Sequence, residues 1–192
     1  MRTIPLLFLI AMLCISCQHK SSRYTVTPGN FIAYKNLAYG SDTLQQVMDV
    51  YLPVERSVNK TPVIILLHGG AWVQGDKAEL NWIGLDTFFT AHGCAVVNMN
   101  YRLRNNYIWP APLDDVGMVM NYIKTKAADW QVNAGKVCLW GKSSGAHIAM
   151  AYAYSRNTDK CIKAVMDLYG PTDLTDSCVV YKEFGLNVTN LL

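Results

Sequence analysis

The chain has 192 residues, of which 51% are hydrophobic, and a formal net charge of +3. This length suffices for one domain with its own core, and the apolar content excludes a disordered or linker-like protein. The basic residues are scattered along the chain, which excludes the clustered charge that nucleic-acid binding needs.

The N-terminus has the layout of an export signal. A positively charged start precedes an apolar run over residues 4–15, and Ser16 and Cys17 then offer a cleavage point. The run is too short to span a membrane comfortably. It resembles a bacterial lipoprotein signal in which Cys17 carries the lipid after cleavage, although Cys14 stands where leucine is usual.

We therefore expect residues 1–17 to be a lipoprotein-type signal peptide and residues 18–30 to be a polar tether. The protein is expected to be exported, either as a lipoprotein of the bacterial outer membrane or cell surface or as a periplasmic protein. Ordinary secretion and a retained anchor are the alternatives.

Cysteine and histidine spacing gives no sign of a metal. The chain contains six cysteines, but CxxC and HExxH patterns are absent, so we predict neither a metal nor a cofactor. Cys94 and Cys138 lie in apolar, strand-like runs, where a buried free thiol is more common than a disulfide. Disulfides are permitted but not implied.

The predicted elements alternate after an initial pair of strands. Residues 31–38 and 46–52 predict an antiparallel hairpin at a sheet edge, and the aliphatic run over residues 62–68 predicts a strand covered on both faces. Later patterns predict a helix over 80–91, a strand over 95–100, a helix over 113–128, a strand around Val137 and Leu139, a helix over 146–154 and an apolar strand over 162–169. Such alternation indicates parallel pairing and an α/β fold of three layers.

The strand around Val137 runs into Gly141–Gly145, a GxSxG sequence. In the strand-turn-helix called the nucleophile elbow, the serine is strained and the residues two before and two after it must be nearly free of side chain. Such a turn presents the Ser143 hydroxyl near the N–H groups that begin the next helix. The alternative is a glycine-flanked turn before a packing helix, since GxSxG arises by chance in roughly one chain of this length in fifteen.

Four further motifs accompany the elbow. In chain order the full set is His68–Trp72 with Gly75 and Asp76, Tyr101–Leu103, Pro110–Val116, Gly141–His147 and Tyr169–Leu174. This set resembles that of α/β-hydrolase esterases and lipases, of the hormone-sensitive-lipase-like and bacterial feruloyl/acetyl esterase (BD-FAE-like) groups. The resemblance extends over residues 31–192.

The resemblance implies a three-layer α/β-hydrolase sandwich, whose mostly parallel sheet starts with the antiparallel hairpin. It also implies a serine carboxylic-ester hydrolase that forms an acyl-enzyme at Ser143. Backbone N–H groups of Gly70, Ala71 and Ser144 would form the oxyanion hole. The expected substrates are short acyl or aryl esters, with polysaccharide-linked esters among the candidates.

Other polar residues of the motifs receive structural interpretations. We expect His68 to order its loop, and His147, one helical turn after the serine, to have a packing or capping role. Asp114 and Asp115 are interpreted as helix-capping and hydrogen-bonding carboxylates, and Asp173 as fixing the loop after its strand. Lys142 is expected to be solvated, whereas Trp72, Trp109 and Tyr107 either line an acyl pocket or simply pack.

The acid and base of a catalytic triad are not assigned to any residue. In the families that the chain resembles, an acid and then a histidine follow the serine, but here the last histidine is His147. We therefore expect residues 31–192 to be the N-terminal part of a hydrolase domain whose last strands are missing. Such a chain alone should be inactive and poorly stable, with an exposed hydrophobic sheet edge.

Two other functions are considered. A prolyl-oligopeptidase-type peptidase shares the elbow but usually carries a large additional N-terminal domain. A non-catalytic, hydrolase-like surface protein would lack the histidine natively. Acyl and alcohol specificity and the oligomeric state are left open.

Overall fold

A computed structural model describes residues 24–27 and 31–174 of the chain. Seven strands form one sheet: β1 (Tyr24–Thr27), β2 (Phe31–Ala38), β3 (Val47–Pro53), β4 (Val63–Leu67), β5 (Ala95–Met99), β6 (Val137–Lys142) and β7 (Ile162–Leu168). The helices are α1 (Ala78–Trp82), α2 (Leu85–Ala91), α3 (Ala111–Trp130) and α4 (Ser144–Arg156). The strands lie in the order β1-β2-β3-β5-β4-β6-β7.

The sheet changes from antiparallel to parallel along this order. The first strands pair antiparallel, as do β3 and β5, whereas β5, β4, β6 and β7 run parallel. The predicted hairpin is confirmed, with Ala33 opposite Tyr51. It does not lie at the sheet edge, however, because β1 pairs with the outer side of β2.

β1 falls inside the range predicted to be a polar tether. Residues 24–27 have the sequence YTVT and pair with residues 31–34 of β2. Tyrosine, threonine and valine are the residue types that strands favour, and β2 offers them an open edge. These four residues therefore belong to the sheet and not to a tether.

Helices cover both faces of the sheet, which confirms the predicted three layers. Alternate side chains of β4 enter different cores: Val63, Ile65 and Leu67 lie in one cluster, Ile64 and Leu66 in the other. The first cluster contains buried residues of α3 and α4, and the second contains Leu80 of α1 with residues of α2 packed against it. The continuous aliphatic run is thus explained by burial on both sides.

Helix boundaries differ from the prediction at two places. The predicted helix over 80–91 is two short helices, because Gly84 between them has a φ of 71° and breaks the first one. The helix predicted over 113–128 begins earlier, at Ala111, and continues to Trp130.

The capping role predicted for Asp114 and Asp115 is wrong, since no side chain caps α3. Both residues lie within the helix, and their carboxylates bind arginine side chains instead of the first N–H groups. Asp114 accepts a hydrogen bond from Arg156 at 2.5 Å, and buried Asp115 accepts one from Arg102 Nε at 2.8 Å. The hydrogen-bonding part of the interpretation is therefore correct.

β7 is more exposed than its apolar sequence suggests. Only Ile162 of this strand is buried, and the Met166 side chain is 43% exposed. Within the described ranges β7 pairs only with β6, so its outer edge and parts of both faces are uncovered.

The signal-peptide prediction, including Cys17, lies outside the described residues, as do most of the tether and residues 175–192. Across residues 24–27 and 31–174 no helix combines the length and apolar character that a membrane crossing needs. The same residues hold no cluster of three or more potential metal ligands. Cys94, Cys138 and Cys161 are free thiols, each partly buried.

Candidate active site

Ser143 occupies a strained turn between β6 and α4. Its φ of 52° and ψ of −123° lie outside the regions that residues with a side chain normally adopt. Its N–H donates to the Leu168 carbonyl at 2.9 Å, and its carbonyl accepts from the amides of Ala146 and His147 in the first turn of α4. Strain of this kind, of order 1–3 kcal/mol, is tolerated where the surrounding structure fixes the backbone, typically at functional sites.

The two glycines of GxSxG lie where the main chains come closest. A Cβ on Gly141 would lie 2.4 Å from the Gly145 carbonyl oxygen, and one on Gly145 would lie 2.3 Å from the carbonyl oxygens of Leu67 and His68. No side chain fits at either position. Gly141 and Gly145 therefore meet the steric requirement of a nucleophile elbow. The alternative, a glycine-flanked turn that matches GxSxG by chance, is not needed to explain the motif.

The predicted oxyanion donors lie in the loop of residues 69–75, which we call the HGG loop. Positive φ angles at three successive residues, 126° at Gly70, 51° at Ala71 and 63° at Trp72, turn the backbone sharply. The Gly70 carbonyl accepts hydrogen bonds from Val73 and Gln74 at 3.1 and 3.0 Å. In the described part of the chain, the N–H groups of Gly70 and Ala71 donate to no backbone carbonyl.

The HGG loop lies beside the elbow. A Cβ on Gly69 would be 3.2 Å from the Lys142 carbonyl oxygen, and Gly145 touches the His68 carbonyl as described above. Ser144, the third predicted donor, is the first residue of α4, where a helix leaves its N–H without an intrahelical partner. The fold thus brings Ser143 and the segments carrying all three predicted donors to the same end of the parallel strands.

His68 has the structural role expected for it. It is fully buried, and its Nδ1–H donates to the Gly69 carbonyl at 2.7 Å. Burial lowers its pKa, with the hydrogen bond to Gly69 opposing this effect, so the ring is neutral near pH 7. Its ring stacks on Tyr101, whose hydroxyl donates to the His68 carbonyl.

His147 packs between two tryptophans. Its ring lies 5.3 Å from that of Trp72, edge to face, and 5.2 Å from that of Trp109. Burial lowers its pKa, and its Nδ1 is buried without a hydrogen-bond partner in the described structure. No side chain among the described residues hydrogen-bonds the Ser143 hydroxyl, so His147 does not serve as its base in this arrangement.

Several polar contacts around the site were not predicted from the sequence. Lys142, expected to be solvated, lies 3.3 Å from Glu79 and is 27% exposed. Asp115 accepts hydrogen bonds from Arg102 and Gln46 in the core. Lys77 and Asp49 form a buried ion pair at 3.0 Å. The polar residue types alone gave no signal for these contacts, since the partners are distant in sequence.

The strand order, the serine elbow and the adjoining HGG loop define the class: this is an α/β hydrolase. A sequence model of the BD-FAE family matches residues 48–184, most of the chain. The chain belongs to the BD-FAE family.

Several proteins that the chain resembles are esterases, of which it spans only a part. Esterase LipC of Mycobacterium tuberculosis is 24% identical over 157 residues, which are 76% of this chain and 38% of LipC. A truncated carbohydrate esterase from gut microbiota is 26% identical with a TM-score of 0.56, covering 66% of this chain and 45% of that protein. Esterase B of Lactobacillus rhamnosis shares the fold, with 23% identity and a TM-score of 0.58. The match covers 74% of this chain and 48% of esterase B. The chain therefore spans less than half the length of these proteins.

Proposed function

We propose that the protein is a serine carboxylic-ester hydrolase that forms an acyl-enzyme at Ser143. The observation that carries this proposal is the backbone of Ser143, with a φ of 52° at the junction of β6 and α4. The elbow puts a hydroxyl at the end of a strand, next to a loop in which the N–H groups of Gly70 and Ala71 donate to no backbone carbonyl of the described residues. Family membership and the esterase relatives support the same chemistry.

In the proposed reaction the Ser143 oxygen attacks the acyl carbon while a base takes the hydroxyl proton. The carbonyl electrons move to oxygen, and the N–H groups of Gly70, Ala71 and Ser144 stabilise that oxyanion. The tetrahedral species collapses, and the alcohol leaves with the proton. Water then attacks the acyl-enzyme in the same way, releasing the acid and restoring Ser143.

The base and its carboxylate partner are proposed to lie outside the described residues. The ring of His68 is buried and bonded to the Gly69 carbonyl, that of His147 is packed between two tryptophans, and no described side chain hydrogen-bonds the Ser143 hydroxyl. An unactivated serine is a weak nucleophile. The 192-residue chain alone is therefore proposed to hydrolyse esters far more slowly than a protein that supplies the missing imidazole.

The proposed substrates are short acyl or aryl esters, including esters on polysaccharide. The similarity to a carbohydrate esterase supports polysaccharide-linked esters as substrates. Trp72, which belongs to the HGG loop, and Trp109 flank His147. The flat apolar rings of these tryptophans suit an acyl or aryl group. Export and lipidation at Cys17 complete the proposal, and palmitate labelling that Cys17→Ala abolishes would support that part.

The function is tested with p-nitrophenyl acetate and the protein encoded by the complete gene. Ser143→Ala should abolish hydrolysis, whereas Ser155→Ala, an exposed change further along α4, should leave it unaltered. Hydrolysis that survives Ser143→Ala would contradict the proposal. A folded protein with no activity would favour a non-catalytic surface protein instead, and cleavage of peptides in place of esters would favour a peptidase.

A further inference from the structure

The far end of the HGG loop returns to its own start. Gly75 has a φ of 112°, and a Cβ there would lie 2.3 Å from the Gly69 carbonyl oxygen and 2.4 Å from His68 Nδ1. The loop is therefore closed on itself, and any shift of its end moves the backbone that carries the predicted donors. What fixes the residues just after Gly75 also fixes the N–H groups of Gly70 and Ala71.

Lys77, two residues after the loop, is bound to the sheet through all of its polar groups. Its N–H donates to Asn100 Oδ1 at 2.6 Å, and its carbonyl accepts from Asn98 Nδ2 at 2.7 Å. Its ammonium lies 3.0 Å from Asp49 Oδ1 and donates to Asn36 Oδ1 at 2.9 Å. These partners come from β2, β3, β5 and the residue directly after β5, so the segment is held at several points.

The charge of Lys77 is almost completely removed from water. Its side chain is 9% exposed and that of Asp49 is 3% exposed. Lysine is rarely buried to this extent, and desolvation of two charges offsets much of their attraction, so such a pair is weak evidence for stability. Fixing one arrangement of the backbone is a better explanation for its presence.

Asp49 also has a second cation. Lys35 lies 3.0 Å from Asp49 Oδ2, but its side chain is 45% exposed. It belongs to β2 and not to the segment that follows the HGG loop. The two lysines thus share one carboxylate, while only Lys77 joins it to the loop.

We propose that Lys77 is a positioning residue for the oxyanion site. Held by Asp49, Asn98 and Asn100, it anchors the end of the HGG loop so that the N–H groups of Gly70 and Ala71 meet the developing oxyanion. This inference rests on the proposed function. Lys77 itself does not touch the substrate, so its loss should affect the transition state more than substrate binding.

The test compares Lys77→Met with Lys35→Met in the protein from the complete gene. Lys77→Met should lower kcat by about tenfold to a hundredfold, as expected for small misplacement of catalytic groups, and leave KM within about twofold. A trifluoromethyl ketone inhibitor should lose affinity by a similar factor. Lys35→Met should leave kcat unaltered.

Hydrogen exchange gives a readout that does not need activity. Amides in residues 69–77 should exchange faster in Lys77→Met than in Lys35→Met. If Lys77→Met does not fold, Asp49→Asn should show the same split between kcat and KM. Equal effects of the two lysine variants, or an unchanged kcat in Lys77→Met, would overturn the inference. Absence of Ser143-dependent hydrolysis in the unmodified protein would instead overturn the proposed function. Hydrogen exchange would then still show whether Lys77 anchors the HGG loop.

Discussion

The ring of Tyr101 stacks on His68 with centroids 4.3 Å apart, and its hydroxyl donates to the His68 backbone carbonyl at 2.9 Å. Both residues are essentially inaccessible to solvent. The pair joins the residues that follow β5 to those that follow β4, at the point where the HGG loop begins. Two neighbouring parallel strands are thereby held together at the end where Ser143 lies.

Tyr101→Phe should destabilise the protein. The variant keeps the ring stacking but removes a buried hydroxyl and leaves the His68 carbonyl without that donor, which costs about 1–3 kcal/mol. Urea unfolding should show a lower midpoint with an unchanged slope. Tyr154→Phe is the control, because Tyr154 is 88% exposed. Equal midpoints for the two variants would contradict a structural role for this hydrogen bond.

Gly145→Ala should be far more damaging than another glycine-to-alanine change in a helix. Its Cβ would lie 2.3 Å from two backbone carbonyl oxygens, which cannot move without shifting β4, so the cost should exceed about 3 kcal/mol. Gly117→Ala in α3 is the matched control, since its nearest contact would be an ordinary 3.6 Å from Tyr152.

Thermal unfolding measures both variants. Gly117→Ala should raise the free energy of unfolding by up to about 1 kcal/mol, because alanine favours a helix more than glycine does. Gly145→Ala should lower it or yield no folded protein. Comparable stabilities would mean that α4 does not lie against the end of β4 as described.

Acid should destabilise the protein through its buried histidines. Burial lowers the pKa of both His68 and His147, so their folded pKa values lie below the unfolded value of about 6.5. At a pH between the folded and unfolded pKa values, the unfolded chain binds more protons than the folded one. The histidine contribution to the free energy of unfolding is therefore fully present above about pH 6.5 and is lost as the pH falls below it. Urea unfolding at a series of pH values checks this.

His147→Phe separates the contribution of one ring. Phenylalanine keeps the packing between Trp72 and Trp109 but cannot be protonated, so stability should fall less steeply between pH 6.5 and pH 5. His92→Phe, on the exposed end of α2, serves as the comparison. A slope that is the same in His147→Phe and the unmodified protein would show that His147 titrates normally in the fold.

Much of the fold could be predicted because its signals are local. The run from Val63 to Leu67 is aliphatic at every position, which suits a strand buried on both faces. Gly141 and Gly145 predict the elbow because their spacing around the serine is the local pattern of a strand-turn-helix, although Gly145 also meets Leu67 and His68, which are distant in sequence. The predicted oxyanion donors come from the family resemblance, because a loop sequence alone does not reveal them.

What could not be predicted depends on contacts between distant residues. Lys77 binds Asp49, and Arg102 binds Asp115. Hydrophobic periodicity in the sequence does not indicate which of these distant polar residues meet. A capping role is predicted for Asp115 because acidic residues favour the first turn of a helix, whereas in the fold its carboxylate accepts hydrogen bonds from Arg102. The exposure of Met166 likewise depends on which elements cover β7, whereas its apolar sequence predicts only a strand.

The central claim is that Ser143 is the nucleophile, and covalent labelling tests it most directly. The protein from the complete gene is treated with a fluorophosphonate, and the modified peptide is identified by mass spectrometry. One adduct is expected on Ser143, absent from Ser143→Ala and present in Ser155→Ala. A folded protein that takes no label, or one labelled at another serine and equally so in Ser143→Ala, would contradict it.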